Sequence, residues 1–448
     1  MTGSGRCWLS SWAVRLPDKA SLRFLTLNEW LAWQESLHPR SIDLGLDRVA
    51  AVAGEMGLPK PAPTVIVVAG TNGKGSCVAM LERLLLDAGF RTGAYTSPHL
   101  LRYNERIRIC GKEVEDEALC AAFQRVDDAR AEVSLSYFEF GTLAALDLFG
   151  LAELEVAILE VGLGGRLDAV NMVDADISLI TRVSLDHQDW LGSDRESIGR
   201  EKAGILRPDR PGVCVDRDPP RSLLAHAQAI GSELLVLGRD FDWQDDRQSN
   251  DDRWAWKSGS TILDDLPAPG IPGVFQRDNA SAVLMVVHRL KERMRVDAAG
   301  VARSLATVTL AGRQQRLRQR RQPGVELVFD VAHNPDAVRA LFGELGRPGR
   351  GRQYSVFACM ADKDVEGMVA NAMDAVDAWK VTTFDDPRAL GVKAAAASIR
   401  AVRPDAEVRE HARVRDALEA ALDEAAPGDR VVVFGSFRIV AEAMEQDI

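Results

Sequence analysis

A run of β-branched residues that enters a glycine-rich loop constrains this chain more than any other feature. Residues 65–68 read Val-Ile-Val-Val, and residues 70–76 read Gly-Thr-Asn-Gly-Lys-Gly-Ser. Apolar residues at helical spacing follow, on one face of a predicted helix that ends at Gly89. Backbone N–H groups in such a loop and the helix N-terminus both attract an anion. The segment therefore predicts a phosphate-binding loop between a strand and a helix.

The side chains of this loop fit a nucleotide. Lys74 can neutralise phosphate charge, and the hydroxyl of Ser76 can reach a Mg²⁺ ion. The usual pattern is G-x-x-x-x-G-K-[ST], but Val68 occupies its first glycine position and Gly75 separates Lys74 from Ser76. The match to a generic P-loop is loose. The variant G-T-N-G-K-G-[ST] is much rarer and therefore more specific.

Composition narrows the class of protein. A chain of 448 residues predicts two or three domains, and a net charge of -11 argues against a dedicated nucleic-acid binder. The one basic run, residues 313–321, is interpreted as a solvated strand edge or a small-anion contact. Six scattered cysteines without a C-x-x-C pair favour reduced thiols in the cytoplasm over disulfides or a zinc site. The sequence shows no signal peptide and no apolar run of ~20 residues, so we expect no membrane span.

Short apolar runs alternate with helical patterns along most of the chain, which predicts parallel α/β sheets covered on both faces. The strand candidates after the loop are residues 91–95, 156–161, 177–183, 213–215, 327–331, 355–358 and 431–434. Residues 240–272 are interpreted as a β-hairpin at the edge of the first domain, with an acidic run at 245–252. A helix is expected from Asn279 to about Arg293.

Polar residues follow several of these strands, where ligands collect in open parallel sheets. Glu160 ends a buried strand, and a carboxylate there needs a cation, either Mg²⁺ or an arginine; the upstream phosphate loop favours the metal. His187 comes shortly after another strand and is left open between a structural residue and a ligand. Asp330 and His333 follow a later strand and could contact a ribose hydroxyl, a phosphate or a base.

Lys202 lies at the end of a predicted helix. Ser193 and Glu196 are interpreted as a capping box, Gly204 as the C′ residue, and Pro208 follows. From spacing alone, the favoured interpretation of Lys202 is a cation that interacts with the helix dipole.

Taken together, these motifs resemble the Mur ligase superfamily of ATP-dependent amide-forming enzymes and, within it, the bacterial folylpolyglutamate synthase family with its bifunctional dihydrofolate synthase members. The resemblance runs from about Leu37 to the C-terminus. It rests on the ordered motifs at residues 41–46, 70–76, 97–100, 137–142, 160–168, 185–192, 200–205, 330–335 and 434–437.

The resemblance implies an α/β protein of two domains: a P-loop ATPase-like parallel-sheet domain and a smaller Rossmann-like one. The expected division is an extension at 1–24, a central ATP-binding domain at 25–308, a linker at 309–316 and a glutamate-ligase domain at 317–448. It further implies that ATP phosphorylates a pterin carboxylate and that L-glutamate attacks the acyl phosphate. Domain closure would assemble the site and exclude water.

The family pattern assigns roles to individual positions. Lys74, His187 and a carbamylated Lys202 would be catalytic. The ATP-binding positions would be Thr71, Asn72, Gly73, Lys74, Gly75, Ser76, Asn279, Arg313, Asp330 and His333. Two Mg²⁺ ions would be held by Ser76, Ser97, Glu160, His187 and the carbamylated Lys202; a monovalent cation such as K⁺ is a further candidate. The pterin-binding positions would be Asp43, Leu44, Gly45, Leu46, Ser136, Tyr137, Phe138, Glu139, Leu167, Asp168 and Ala169. Phe138 is interpreted either as a stacking surface or as core.

The expected partners are dihydropteroate, reduced folates, L-glutamate and ATP, with no nucleic acid or membrane, and the chain is expected to be a monomer. Three residues depart from the family pattern: Gln314, Ala361 and Arg438. Three alternatives stay open. The first is folylpolyglutamate synthase activity alone. The second is a Mur-type ligase for a peptidoglycan nucleotide, which needs an N-terminal domain for a uridine nucleotide, whereas only about 60 residues precede the phosphate strand. The third is a P-loop switch or GTPase, which needs the guanine-reading motif [NT]-K-x-D, whereas the run at 361–364 lacks the first residue of that motif.

Overall fold

The computed structural model describes residues 22–38, 40, 42–245, 252–318 and 322–446. They form two compact units, each built from more than one stretch of chain. Unit 1 contains residues 1–183, 191–270 and 277–308; unit 2 contains residues 184–190, 271–276 and 309–448. Most of the predicted extension, residues 1–21, lies outside the described residues, as do parts of the acidic and basic runs.

Unit 1 is built around an eight-stranded sheet in the order β4-β3-β2-β5-β1-β6-β7-β8. All neighbouring strands are parallel except where β3 pairs with β2 and with β4. The strands are β1 Thr64–Ala69, β2 Thr92–Tyr95, β3 Ile107–Ile109, β4 Lys112–Glu113, β5 Val156–Glu160, β6 Ile177–Ile180, β7 Gly212–Cys214 and β8 Leu234–Val236. Strands β1, β5 and β6 are buried along their whole length, as their continuous apolar sequences predict.

The helices within unit 1 are α1 Leu27–Leu37, α2 Asp47–Glu55, α3 Lys74–Asp87, α4 Asp116–Arg130, α5 Tyr137–Leu151, α7 Arg195–Ala203, α8 Arg221–Ala229 and α10 Ala298–Thr307. Two more, α6 Gln188–Leu191 and α9 Gln276–Arg289, run from residues of unit 2 into residues of unit 1. Helix α9 begins three residues before the predicted start and ends four before the predicted end. None of the helices among the described residues is long and apolar enough to cross a membrane.

The predicted hairpin is wrong in its strand number. The region forms a three-stranded antiparallel sheet of its own, from β9 Asp242–Asp245, β10 Trp254–Ser258 and β11 Thr261–Leu266. Strand β9 was not predicted as a separate strand: Trp243 is its only apolar residue, and its last residue, Asp245, is the first of the acidic run. Trp254 and Trp256 are fully buried, and their indole N–H groups donate to backbone carbonyls of Pro267 and Ser281.

Unit 2 contains a six-stranded sheet in the order β12-β13-β17-β14-β15-β16, parallel except for β12. The strands are β12 Gln315–Arg318, β13 Glu326–Phe329, β14 Gln353–Phe357, β15 Ala378–Val381, β16 Glu407–Glu410 and β17 Arg430–Phe434. The helices are α11 Pro335–Leu345, α12 Val365–Ala372, α13 Val392–Val402, α14 Val414–Glu424 and α15 Phe437–Met444. The α/β class with two parallel-sheet domains is thus confirmed. Strand β12 lies at the sheet edge and overlaps the predicted linker. It was not predicted as a strand because its sequence is largely polar.

Candidate functional site

The phosphate loop joins β1 to α3 as predicted, and its glycines adopt conformations that other residues avoid. Gly73 is the N-cap of α3 with φ 98°, and Gly70 has φ 145°. A Cβ atom on Gly73 would lie 2.9 Å from Oδ1 of Asn279, and one on Gly70 would lie 1.7 Å from Oγ1 of Thr181. The loop is therefore packed tightly against the end of β6 and against α9, and the predicted nucleotide residue Asn279 lies beside it.

Lys74 and Ser76 begin helix α3. The ammonium of Lys74 donates to the carbonyl oxygens of Gly70 and Thr71, at 3.2 and 3.3 Å. The Thr71 amide donates to the carbonyl of Arg182 at 2.8 Å, which fixes the loop to the chain after β6. The lysine is thus held over the loop, where it can neutralise a bound phosphate.

Glu160 ends β5 beside the loop, because its register partner in β1 is Val68. Only 4% of its surface is exposed, and the Ser97 amide donates to its Oε2 at 3.4 Å. The structure therefore brings together the predicted metal-binding residues Ser97 and Glu160.

The oxygen atoms of this pair fit Mg²⁺, which prefers oxygen ligands and commonly binds to one or two carboxylates together with substrate phosphates. Among the described residues, no group of three or more His, Cys, Asp and Glu side chains could hold a metal by itself. A site built on Glu160 and Ser97 would accordingly need oxygen atoms from a bound nucleotide.

Lys202 is buried near the end of α7, with 3% of its surface exposed. Two glycines allow the end of α7 to pack closely against the loop that follows β5. A Cβ on Gly165 would lie 2.7 Å from the Glu201 carbonyl oxygen and 3.1 Å from the Lys202 Cα, and one on Gly204 would lie 2.4 Å from the Cβ of Arg166. The close approach fixes the backbone that carries Lys202.

The predicted capping of this helix is wrong in three details. Asp194, and not Ser193, is the N-cap, and its carboxylate accepts from the Ser197 amide at 2.8 Å. Glu196 accepts instead from the first amides of α8. Gly204 has φ -63° and is not left-handed. Asp caps a helix as well as Ser does, so the sequence alone left a one-residue ambiguity.

The three predicted pterin-binding segments lie together in unit 1. Arg48 pairs with both Asp43 and Glu139, at 2.8 and 3.0 Å, and the Gly45 amide donates to the Leu167 carbonyl at 3.2 Å. Ser136 and Glu139 also form the capping box of α5, so both Glu139 oxygens have partners.

Phe138 and Asp168 lie in the same region. The half-buried Phe138 ring is 5.9 Å from the ring of Tyr95, and a Cβ on Gly162 would lie 2.7 Å from it. Burial raises the pKa of Asp168 to about 7, although the amides of Leu163 and Val170 donate to its carboxyl group.

In unit 2, two of the predicted nucleotide residues, Arg313 and His333, lie beside Phe437. The Arg313 guanidinium is 5.5 Å from the Phe437 ring centroid, and the His333 ring is 5.9 Å from it. Burial raises the pKa of Asp330, opposed by the Arg313 charge and by the amides of Gln314 and Ala332. Phe437 belongs to the family motif at residues 434–437, but the sequence analysis predicted no role for its ring.

His187 lies in the segment of residues 184–190 that belongs to unit 2. It has φ 50°, a left-handed conformation that is uncommon outside glycine. It follows β6 by seven residues, because that strand ends at Ile180 and not at residue 183 as predicted. Its Nδ1 is 3.9 Å from Asp362. The neighbouring Asp186 is bound by Lys363 at 2.6 Å and by Asn334 at 3.3 Å. Sequence reasoning did not find Lys363.

The three departures from the family pattern have local partners in unit 2. Gln314 is buried, with φ 41°, and its amide group donates to Glu344 at 2.9 Å. The Ala361 amide donates to the Arg388 carbonyl at 2.9 Å, and Nε of Arg438 is 3.9 Å from Asp386.

Comparison with known proteins supports the two-unit fold, first through a family model and then through relatives that match almost the whole chain. Residues 312–437 match the family model described as Mur ligase, glutamate ligase domain. A phosphate loop on one parallel-sheet unit and a glutamate-ligase-type second unit define the class of Mur-type ATP-dependent ligases.

Relatives of known function narrow the class. The dihydrofolate synthase/folylpolyglutamate synthase of Escherichia coli is 40% identical over 432 residues, which cover 96% of this chain and 97% of that protein. The Haemophilus influenzae protein of the same name is 39% identical over 93% of this chain and 96% of its own. The solved E. coli FolC in complex with DHPP and ADP superposes with a TM-score of 0.86 at 39% identity, covering 96% and 98% of the two chains. The chain therefore belongs to the dihydrofolate synthase/folylpolyglutamate synthase family.

Proposed function

We propose that this chain is a Mg-ATP-dependent ligase that adds L-glutamate to dihydropteroate and to reduced folates. The observation that carries the proposal is the phosphate loop with Lys74, beside the half-buried Ser97 and the buried Glu160. Solved relatives support it: one is E. coli FolC with DHPP and ADP, and another family member is described with Mn, AMPPNP and L-glutamate bound.

In the proposed reaction, a carboxylate oxygen of the pterin substrate attacks the γ-phosphorus of ATP, and ADP leaves. The amine of L-glutamate then attacks the acyl carbon, the C–O bond to phosphate breaks, and the amine proton is lost. The loop amides and Lys74 would position the transferred group and neutralise its charge, which supplies most of the catalysis in phosphoryl transfer. Mg²⁺ bound at Ser76, Ser97 and Glu160 would neutralise the remaining phosphate charge.

Several finer assignments belong to the same proposal. Lys202, carbamylated, would serve as an additional oxygen ligand, and His187 would help to hold a second Mg²⁺. Asn279, Arg313, Asp330 and His333 would bind the nucleotide. We further propose a cytoplasmic monomer that acts on small molecules without nucleic acid, with K⁺ as a candidate activating ion.

Phosphate release by the purified protein tests the proposal. With MgATP and L-glutamate present, we expect release only when dihydropteroate or a reduced folate is added. Release without either pterin, or only with a uridine-linked peptide, would overturn it. Assays with dihydropteroate and tetrahydrofolate side by side separate the bifunctional enzyme from folylpolyglutamate synthase activity alone.

A further inference from the structure

Arg106 differs from the other buried arginines of the described chain. Three arginines are buried there: Arg106, Arg130 and Arg430. Arg130 pairs with Asp127 at 2.7 Å, and Arg430 pairs with Glu326 at 2.5 Å. In the part of the chain that the structure describes, no carboxylate forms an ion pair with Arg106. Burial of an unpaired charge is costly, so a buried guanidinium without a carboxylate indicates that an anion arrives from outside the chain.

The surroundings of Arg106 hold its guanidinium in place without neutralising it. Its Nε donates to Nδ1 of His99 at 2.8 Å, which leaves the terminal nitrogens without a hydrogen bond to any described residue. The rings of Tyr103 and Tyr137 lie 5.2 and 5.5 Å from its Cζ, close enough for cation–π attraction. With 8% of its surface exposed, Arg106 is still reachable from solvent.

The position of Arg106 relates it to the candidate site. Its carbonyl accepts from the Thr96 amide at 2.8 Å, so it lies across from the residue that precedes Ser97. Tyr137, on its other side, is one of the proposed pterin contacts. The positive charge of Arg106 also opposes the rise in pKa that burial imposes on Tyr103. Arg106 thus contacts the segment before Ser97 through its backbone carbonyl, and the proposed pterin contact Tyr137 through its guanidinium.

We propose that Arg106 binds the carboxylate that the enzyme activates, the group common to dihydropteroate and to the glutamyl end of a reduced folate. The assignment rests on the proposed function. A planar guanidinium with two free terminal nitrogens suits a carboxylate, which it can bind through two parallel hydrogen bonds. After phosphorylation, the same nitrogens would face the oxygens of the acyl phosphate and limit the charge that builds up there.

The first experiment compares Arg106→Gln with Arg102→Gln. Arg102 is the N-cap of the short 3-10 helix, Tyr103–Arg106, that Arg106 ends. It is exposed and already pairs with Asp116, so its loss should change KM for every substrate less than twofold. Arg106→Gln should raise KM about 10- to 100-fold for dihydropteroate and for tetrahydrofolate alike, with KM for ATP within twofold. A KM effect confined to tetrahydrofolate would place Arg106 at its α-carboxylate and overturn the proposal, as would unchanged KM values for both pterins.

Binding measurements keep the proposal testable if Arg106→Gln is poorly active. In the wild-type protein, dihydropteroate should bind at least tenfold more tightly than its carboxamide; in Arg106→Gln, and in Arg106→Met if the first variant does not fold, the two should bind equally. Retention of the tenfold preference in a variant would refute the role of Arg106. Wild-type protein that neither binds nor turns over dihydropteroate would instead refute the proposed function.

Discussion

The ammonium of Lys363 donates a 2.6 Å hydrogen bond to the carboxylate of Asp186, which precedes it by 177 residues. Both side chains are almost fully buried. Burial opposes ionisation of Asp186, but the hydrogen bond from His333, the charge of Lys363 and the attraction of His333 and His187 in their protonated forms hold the pKa of Asp186 well below its usual range. The carboxylate therefore stays ionised within unit 2 and depends on the cations around it.

Lys363→Met should destabilise unit 2 strongly, because it leaves a buried carboxylate with less compensation. We expect a loss of about 3–5 kcal/mol in the free energy of unfolding, measured by denaturant titration. Lys393→Met is the matched control: Lys393 is exposed in the same unit, and its loss should change stability by less than about 0.5 kcal/mol. Adding Asp186→Asn to Lys363→Met should recover part of the loss. Strictly additive effects of the two substitutions would contradict the coupling.

Gly165→Ala should lower activity through the backbone at Lys202. Its Cβ would lie 2.7 Å from the Glu201 carbonyl oxygen, so the end of α7 must move. We expect at least a tenfold slower release of phosphate and a loss of about 1–3 kcal/mol in stability. Gly343→Ala is the control: Gly343 is exposed within α11 with open space around it, and the substitution should raise stability by about 0.5–1 kcal/mol at unchanged activity. Wild-type kinetics in Gly165→Ala would show that this contact does not position Lys202.

Lys202→Ala should reduce the rate of ligation about 100-fold or more if the carbamylated side chain helps to hold the metal. Lys202→Arg separates carbamylation from positive charge, because arginine keeps the charge but does not form the carbamate. It should be as inactive as Lys202→Ala, and removal of CO₂ should slow the wild-type protein alone. Full activity in Lys202→Ala would remove this residue from the mechanism, and full activity in Lys202→Arg would rule out the carbamate.

Asp168 should make stability depend on pH between about 4 and 7. Its pKa is about 7 in the folded protein and near 3.8 without burial, so the folded state binds more protons in this window. The contribution of Asp168 to stability is therefore full below pH 4, falls as the pH rises, and levels off above pH 7. The free energy of unfolding of Asp168→Asn, subtracted from that of the wild type at each pH, isolates this contribution. A difference that rises from pH 4 to 7 would have the opposite sign from that expected.

The sequence correctly predicted those strands and helices that an unbroken run of characteristic residues encodes. The run of residues 65–68 and the glycines after it were enough to place β1, the phosphate loop and α3. Predictions that rest on one or two residues were less reliable. Ser193 was predicted as the helix cap, but the cap is the adjacent Asp194, and both residue types cap helices well. Strand β9 was missed because Trp243 is its only apolar residue, among acidic and polar ones.

The residues of the candidate site also fall into two groups: those that could be predicted from neighbouring sequence and those that could not. Glu160 could be placed because it directly follows an apolar strand. Lys363 and Arg106 could not, because their significance comes from what lies beside them in space: a carboxylate 177 residues away for one, and no carboxylate among the described residues for the other. A single sequence contains the residue types but not these distances.

The division of the chain between the units has a consequence for its synthesis. Residues 184–190 belong to unit 2, although the rest of that unit is encoded almost entirely after residue 308. During translation, more than a hundred further residues must be added after this segment before Lys363, the partner of Asp186, is synthesised. No single cut in the gene yields both units whole, so an attempt to express the second unit from residue 309 onward would omit Asp186 and leave the Lys363 ammonium buried without its carboxylate.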